Sequence, residues 1–351
     1  MQITVLTQSS LRTYRNCPRQ YLYAYELKLR RDRTSQPLRF GSAFHLGQEL
    51  RIKHGDAEAI RLAAAQYDTV PQWADPFDWA VERETLRALL AGYFWRYQED
   101  QIQVISTEGQ WELPLINPET GSSSRTFCLA GKIDKIIIQD NGRLAIQEFK
   151  TCGEDISDDS DYWPRLRCDA QISAYVYAAR RRGHNVDTVL YDVTRKPEIS
   201  PRKIPVLDAE GFKIVRDEHG ERVYNKNKKP RESALAENNW TLETTMESPE
   251  QFGVRLLADI GERPDFYFAR REIPRLESDL NEFEEEVWQQ ALQLGQARKR
   301  GLWFRNVGMM TCRNCTYKEI CLQNIEVDPA SPPAGFVIAD SANPELTGEF
   351  I

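Results

Sequence analysis

The chain lacks several features that would have assigned it a class at once. None of its 351 residues form an apolar run near the roughly 20 needed to cross a bilayer, so no membrane-spanning helix is expected. There is no phosphate loop of the form G-x4-G-K-S/T, so ATP-driven unwinding is not encoded, and a helicase would have to be a separate partner. No internal repeat is apparent. Met1–Ser10 has neither a basic start nor an apolar core, so no secretory signal is read there. The seven cysteines are an odd number in a chain without that signal, which argues against a disulfide framework and for a reducing, cytoplasmic setting. Histidine is scarce, and of the four only His45 has a distinctive context, at the head of an apparent helix after Gly41; His54, His184 and His219 read as surface residues.

What is present is charge of both signs, unevenly placed. The net charge of −7 disfavours nucleic acid at first sight, but distribution matters more than the sum. Residues 1–40 hold eight Lys or Arg against Glu26 and Asp32, and Arg180–Arg182 follow a predicted helix. Tyr14, Tyr21, Tyr23 and Tyr25 interleave with the first basic stretch. Two readings stay open: bases stacking on aromatics within a basic surface, or tyrosines packing a helix. The acidity gathers elsewhere, notably at Glu277–Glu286.

The most informative segments are Gly131–Ile138 and Leu144–Thr151. Both are rich in β-branched and apolar residues, and Asp140-Asn141-Gly142 between them is a hairpin signal. Side chains alternate along a strand, so Glu148 and Lys150 share a face. A two-residue loop would set Asp134 opposite Phe149, on the wrong face. A three-residue loop sets it opposite Glu148 and gives Gly142 the left-handed position, so the three-residue loop is predicted. Two carboxylates and a lysine around one point suit phosphodiester chemistry: carboxylates hold a divalent metal, and a cation positions water or phosphate. A solvated hairpin of alternating charges is the competing reading. The isoleucines and Phe149 favour a buried hairpin, in which such charges need partners.

Helices are predicted over 8–27, 41–53, 56–68, 77–99, 168–182, 249–260 and 278–300, and strands over 104–116 and 186–194. Glu108 and Glu112 stand on the first strand as auxiliary acids of little weight. Residues 1–325 read as one elaborated domain with its sheet and hairpin in 104–194. Within it, 195–247 is polar, holds four prolines and reads as an inserted β-arm or loop, whose Lys226–Arg231 run suits either DNA or solvent. Residues 326–351 read as a poorly packed tail. Cys312-x2-Cys315-x5-Cys321 has ligand-like spacing, and Cys17, followed by Pro18, would complete a set of four. Spacing alone leaves a [4Fe–4S] cluster and a structural Zn²⁺ equally open. Cys128, Cys152 and Cys168 are expected to be unliganded.

Further motifs frame the hairpin: Ser9-x4-Tyr14-x2-Cys17-Pro18-x2-Tyr21, Phe40-Gly41-x3-His45, and Gln171-x3-Tyr175 on one helical face. In order and spacing, the set from Ser9 to Cys321 resembles the RecB/AddB-type branch of the PD-(D/E)XK nuclease superfamily. It is closest in pattern to the iron–sulfur exonucleases related to the CRISPR spacer-acquisition enzyme and to stand-alone phage members. The sequence departs from the family name, since Ile133 precedes Asp134 where a proline–aspartate pair would stand. The resemblance implies an α/β, restriction-endonuclease-like mixed sheet flanked by helices, with the terminal helical segments joined by the four-cysteine site. It implies His45, Asp134, Glu148 and the Phe149 carbonyl as ligands of Mg²⁺ or Mn²⁺, the imidazole favouring manganese. Lys150 would orient water or stabilise the phosphate, and Gln171 and Tyr175 would line the site. It turns the four cysteines towards a [4Fe–4S] cluster, with Zn²⁺ as the alternative. The expected activity is DNA exonuclease, favouring single-stranded ends, in repair, recombination or a phage setting, with a recombination partner or a homo-oligomer as companions. A structure-specific or nicking endonuclease and a non-catalytic DNA-binding subunit are the alternatives.

Overall fold

The computed structural model describes residues 3–346, apart from the side chains of Glu108 and Glu345. The chain gathers into two compact units. One comprises Met1–Glu49, Tyr97–Arg195 and Phe268–Ile351; the other comprises Leu50–Arg96 and Lys196–Tyr267. The second unit is formed by two segments that interrupt the first in sequence, the later of them containing most of the polar stretch 195–247.

The first unit is built on a six-stranded mixed sheet. Its strands are β1 (Thr4–Leu6), β2 (Gln103–Ile116), β3 (Ser123–Ile138), β4 (Leu144–Cys152), β5 (Thr188–Arg195) and β6 (Phe268–Pro274). β3 organises the sheet. It pairs with β2 antiparallel, with β1 in parallel at Phe127–Leu129, and with β4 antiparallel at Lys135–Ile138. β4 and β5 run parallel, and β6 closes the edge antiparallel to β5. A parallel pair requires a crossover, supplied here by helix α5 (Ala170–Arg181), whose residues Ile172, Ala174, Val176, Ala178 and Ala179 are buried. The longer helices before and after it include α1 (Gln8–Asn16), α2 (Gln36–His54), α3 (Asp56–Ala64), α4 (Pro76–Arg96) and α6 (Pro249–Glu262). Helix α7 (Glu277–Arg300) buries Leu280, Phe283, Val287, Ala291 and Leu294, a three-and-four spacing that lays one apolar stripe in the core of this unit.

The N-terminal helix stops early. Residues 8–27 carry a helical pattern, but the helix ends at Asn16, because Cys17 is extended (φ −164°, ψ 113°) and Pro18 follows. The ring of a proline clashes with a preceding helical residue, so Pro18 forces the break and starts a new short helix at its own position. The tyrosines resolve as packing: Tyr14, Tyr21 and Tyr23 are buried. Tyr21 stacks on Tyr25 at 4.9 Å and on Trp303 at 5.9 Å. They are core, not a platform for bases. The described part of the 326–351 segment is also more than a loose tail. Phe336–Ile338 pairs antiparallel with Leu29–Arg31, and Arg31 lies over the Phe336 ring at 4.3 Å.

In the second unit α3, α4 and α6 bury Ala59, Ala63, Leu86, Leu89, Tyr93, Phe94, Phe252, Leu256 and Ile260. Residues 195–247 are ordered β-structure of an unusual kind. Three tight turns follow one another at 208–212, 217–221 and 225–229, joined by rungs in which Ile214 N donates to Val206 O, Val223 N to Val215 O and Arg231 N to Val223 O. This is a short internal repeat that the sequence reading missed, because its third copy shares none of the aspartates or glycines of the first two.

Candidate active site

The hairpin places its charges as loop parity requires. Ile138 pairs with Leu144. Gln139 N donates to Arg143 O at 2.9 Å, so Asp140, Asn141 and Gly142 form a three-residue loop with Gly142 at φ +80°. Lys135 pairs with Gln147, so Asp134 stands opposite Glu148 on the same face, beside Lys150.

Helix α2 brings His45 to this face, and its Nδ1 lies 3.3 Å from Asp134 Oδ2. That same carboxylate oxygen accepts a hydrogen bond from the Phe149 amide at 3.0 Å. Lys150 Nζ contacts Glu148 Oε1, and Gln171 Nε2 donates to the same oxygen at 3.1 Å. Gln171 also donates to the Tyr175 hydroxyl at 2.6 Å, so α5 delivers both residues with i, i+4 spacing. The Asp169 side chain caps α5 by accepting from the Gln171 amide at 2.7 Å, which fixes the turn from which Gln171 projects.

Electrostatics within this cluster are strongly coupled. Burial pushes the Glu148 carboxyl up, and the Asp134 charge adds to it, so that Glu148 titrates at about 7 despite Lys150. Burial would also raise Asp134, but the His45 imidazole, its hydrogen bond and Lys150 outweigh it and hold Asp134 at about 2. Burial would lower His45, yet Asp134 raises it overall. Burial likewise opposes the Lys150 charge, but Glu148, Tyr175 and Asp134 overcome it, so the ammonium form is favoured beyond the ordinary lysine range.

The donor set suits a hard divalent cation. Glu148 Oε2 is buried and has no hydrogen-bond partner among the described residues, a cost that a metal ligand would remove. Oxygen donors from Asp134 and Glu148 with one His45 nitrogen fit Mg²⁺ or Mn²⁺. Among the described residues no three His, Cys, Asp or Glu side chains are gathered at metal spacing. Glu148 is turned towards Lys150 and Gln171, while His45 and Asp134 contact each other.

Four more residues border the site. Gln48, Glu49, Thr107 and Lys135 line a pocket with His45, Asp134 and Phe149. Lys135 is buried, donates to Gln48 O at 3.3 Å and sits 4.6 Å over the Phe149 ring. A lysine within the isoleucine-rich run Ile133–Ile138 was the available signal, and Gln48 follows His45 by three helical positions. Glu112 does not join: it lies on β2 opposite Ala130, where burial and then its charge raise the Cys128 thiol to about 11. The Glu108 side chain lies outside the described residues.

The second predicted constellation also converges. Cys17, Cys312, Cys315 and Cys321 all line one cavity with about 390 Å³ of empty space, together with Arg19, Tyr23 and Tyr317. All four are free thiols. Asn306 N donates to Cys17 Sγ at 3.5 Å, and Asn306 Nδ2 to Asn16 O at 2.9 Å, tying the two distant segments together. Burial raises the Cys315 thiol, and the neighbouring Cys17, Cys321 and Cys312 add to the effect.

The basic stretches are largely consumed internally. Arg180 pairs with Glu277 at 2.6 Å, Arg181 with Glu284 at 2.9 Å, and Arg182 donates to Gln110 O at 2.7 Å. Arg19 donates to Trp303 O, Arg30 to Ala342 O and Arg31 to Thr316 O.

Comparison with curated proteins gives no match. Among solved structures, one titled "Crystal structure of SSO0001" is 13% identical, with a TM-score of 0.36 over 93% of this chain and 89% of that one. The family profile described as PD-(D/E)XK nuclease superfamily matches residues 5–322, nearly the whole chain and all of the site just described. The chain belongs to the PD-(D/E)XK nuclease superfamily.

Proposed function

We propose that this protein is a metal-dependent DNA exonuclease that hydrolyses phosphodiester bonds, favouring single-stranded ends. Superfamily membership supports the nuclease chemistry; the preference for ends and for single strands rests on the motif resemblance. The observation that carries the reading is the unpartnered, buried Glu148 Oε2 beside Asp134 and His45, with Lys150 held against the other Glu148 oxygen.

In this reading Asp134, Glu148, His45 and the Phe149 carbonyl hold Mg²⁺ or Mn²⁺. When bound, the cation would polarise the phosphoryl oxygen and acidify water. Lys150 acts as a cation rather than a base, since its partners favour the protonated form. It would orient the scissile phosphate and stabilise the charge that develops there. Gln171 holds the Glu148 carboxylate in place, and Tyr175 fixes Gln171 in turn. No covalent enzyme intermediate is involved. We assign Cys17, Cys312, Cys315 and Cys321 to a [4Fe–4S] cluster of structural role, with Zn²⁺ as the alternative.

The test is digestion of end-labelled linear single strands beside a closed circle of the same sequence, with Mn²⁺, wild type and Lys150→Ala. Loss of the linear strand alone, absent in the variant, is the expected result. Cutting of the circle would require an endonuclease. Activity persisting in Lys150→Ala would remove the site assignment.

A further inference from the structure

The three successive turns of the second unit share one backbone design. Asp208, Asp217 and Asn225 open them. The Asp208 side chain accepts from Glu210 N at 2.9 Å and Phe212 N at 2.8 Å, and Asp217 from His219 N and Glu221 N, both at 2.9 Å. Asn225 accepts from Asn227 N at 2.9 Å and Lys229 N at 3.0 Å. The fourth residue is left-handed in each: Gly211 at φ +87°, Gly220 at +81° and Lys228 at +61°.

The geometry is common, but the charge is not. The first turn carries Asp208 and Glu210, the second Asp217, Glu218 and Glu221, and the third Lys226, Lys228 and Lys229. The turn itself requires an Asx oxygen at its start and tolerance of positive φ at its fourth residue. Glycine meets the second need freely, whereas lysine there costs about 1 kcal/mol. The first two turns therefore act as internal controls. They demonstrate that neither the lysines nor the strained Lys228 are demanded by folding.

Lys226, Lys228 and Lys229 are exposed, and among the described residues none of the three forms an ion pair. That separates them from Arg180 and Arg181, which acidic partners on α7 neutralise. Tyr224, just before the turn, is 52% exposed with the Arg222 guanidinium 5.7 Å from its ring, and the Arg231 guanidinium after it lies 5.3 Å from the Trp240 ring. Unpaired cations beside an exposed aromatic match what a single-stranded polynucleotide offers, phosphates at regular spacing and bases with open faces.

We propose that the turn Asn225–Lys229 is a contact for single-stranded DNA, its three ammonium groups engaging successive phosphates and Tyr224 offering a stacking face. The proposal rests on the deoxyribonuclease reading and adds a substrate contact outside the hydrolytic site.

The test measures binding of a labelled single strand to the full chain, without divalent metal so that nothing is cut, across a range of salt. One variant rewrites the third turn as the second (Asn225→Asp, Lys226→Glu, Lys228→Gly, Lys229→Glu), a sequence that already folds in this geometry. Another only neutralises it (Lys226→Gln, Lys228→Gly, Lys229→Gln). Losing three phosphate contacts should flatten the plot of log K against log salt by about 2, at roughly 0.7 per contact. Binding in low salt should weaken at least about tenfold in either variant, with the melting temperature held or raised by the Lys228→Gly change. Wild-type affinity and slope in both variants would overturn the proposal while leaving the nuclease reading intact, provided linear strands are still digested with Mn²⁺. A wild type that neither binds nor cuts would overturn both.

Discussion

Gln171 Nε2 donates to Glu148 Oε1 at 3.1 Å, on the same oxygen that receives Lys150. One Glu148 oxygen is thus engaged twice, and the other has no hydrogen-bond partner among the described residues. In the proposed function Gln171 would therefore orient a metal ligand rather than bind the metal, and the Tyr175 hydroxyl holds its amide. Outer partners of this kind are typically worth 10- to 100-fold in metal affinity or activity, so about that loss is expected for Gln171→Ala. Titrating cleavage with Mn²⁺ checks it. The half-saturating concentration should rise while the melting temperature barely moves, because Gln171 is only part-buried. An unchanged metal requirement would remove Gln171 from this role.

A second prediction concerns stability against pH without metal. Glu148 titrates at about 7 when folded, against an ordinary value of 4.5. Between those values the folded chain retains a proton that the unfolded chain has lost, so stability falls as pH rises through the window, by at most roughly 3 kcal/mol. Asp134 behaves oppositely. Held at about 2, it contributes stability above pH 3.8 that is lost as pH falls towards 2. Thermal melts in chelator across this range should show the upper decline, and Glu148→Gln should abolish it below pH 6.5, above which His45, raised by Asp134, adds its own loss. Mn²⁺ should restore stability more at pH 7.5 than at pH 5.5, since binding must displace the Glu148 proton. A decline that persists in the glutamine variant would trace to another group.

How much of this was legible follows residue by residue. The hairpin was readable because strand alternation and loop parity are local rules, and Asp140-Asn141-Gly142 decides the parity. The convergence of Cys17 with Cys312, Cys315 and Cys321 was legible only through the motif order, since the structure joins segments nearly the whole chain apart. The fates of the tyrosines and arginines were not legible. Tyr21 is buried against Tyr25 and Trp303, and Arg180 and Arg181 are spent on Glu277 and Glu284, pairings that depend on tertiary packing. Lys135 was hidden because its neighbour Asp134 drew attention to the opposite face. The polar 195–247 stretch was legible as an insertion, but its grouping with Leu50–Arg96 in a second unit was not, because that depends on helix packing between segments far apart in the chain.

Arg275 supplies a third prediction. It is buried, and its guanidinium donates to Ser173 Oγ at 2.9 Å, Leu166 O at 2.8 Å and Asp169 O at 3.0 Å. Those acceptors surround the start of α5, from which Gln171 projects. Burial lowers its pKa, but an arginine remains charged. Arg275→Met keeps most of the volume and takes the donor from Ser173 Oγ, while Leu166 O and Asp169 O keep the backbone donors Asp169 N at 3.2 Å and Ser173 N at 3.3 Å. Urea unfolding should therefore show a loss of about 1–3 kcal/mol. At temperatures where the variant is still folded, cleavage should drop further than Ser173→Ala alone produces. Stability equal to wild type would mean that Ser173 Oγ finds another donor.

The cysteine assignment makes the last prediction, and the hydrogen bonds around it make that prediction clean. Arg19 N donates to Phe304 O at 3.1 Å, and Asn306 joins Asn16 at 2.9 Å, so the 16–19 and 303–306 segments are held together without help from sulfur. Cys17→Ser should therefore leave a folded protein that has lost its metal group, rather than an unfolded one. If the four thiolates hold a [4Fe–4S] cluster, anaerobically purified wild type is brown and the variant colourless, with a melting temperature several degrees lower because a covalent clip across the chain has gone. If they hold Zn²⁺, both are colourless and elemental analysis finds one zinc per chain in wild type alone. An unaltered brown absorbance in Cys17→Ser would exclude that residue as a ligand. The hairpin should respond differently from this module: Cys17→Ser should lower thermal stability before it lowers the rate per folded molecule, since Cys17, Cys312, Cys315 and Cys321 line a different pocket from the one that His45 and Asp134 line.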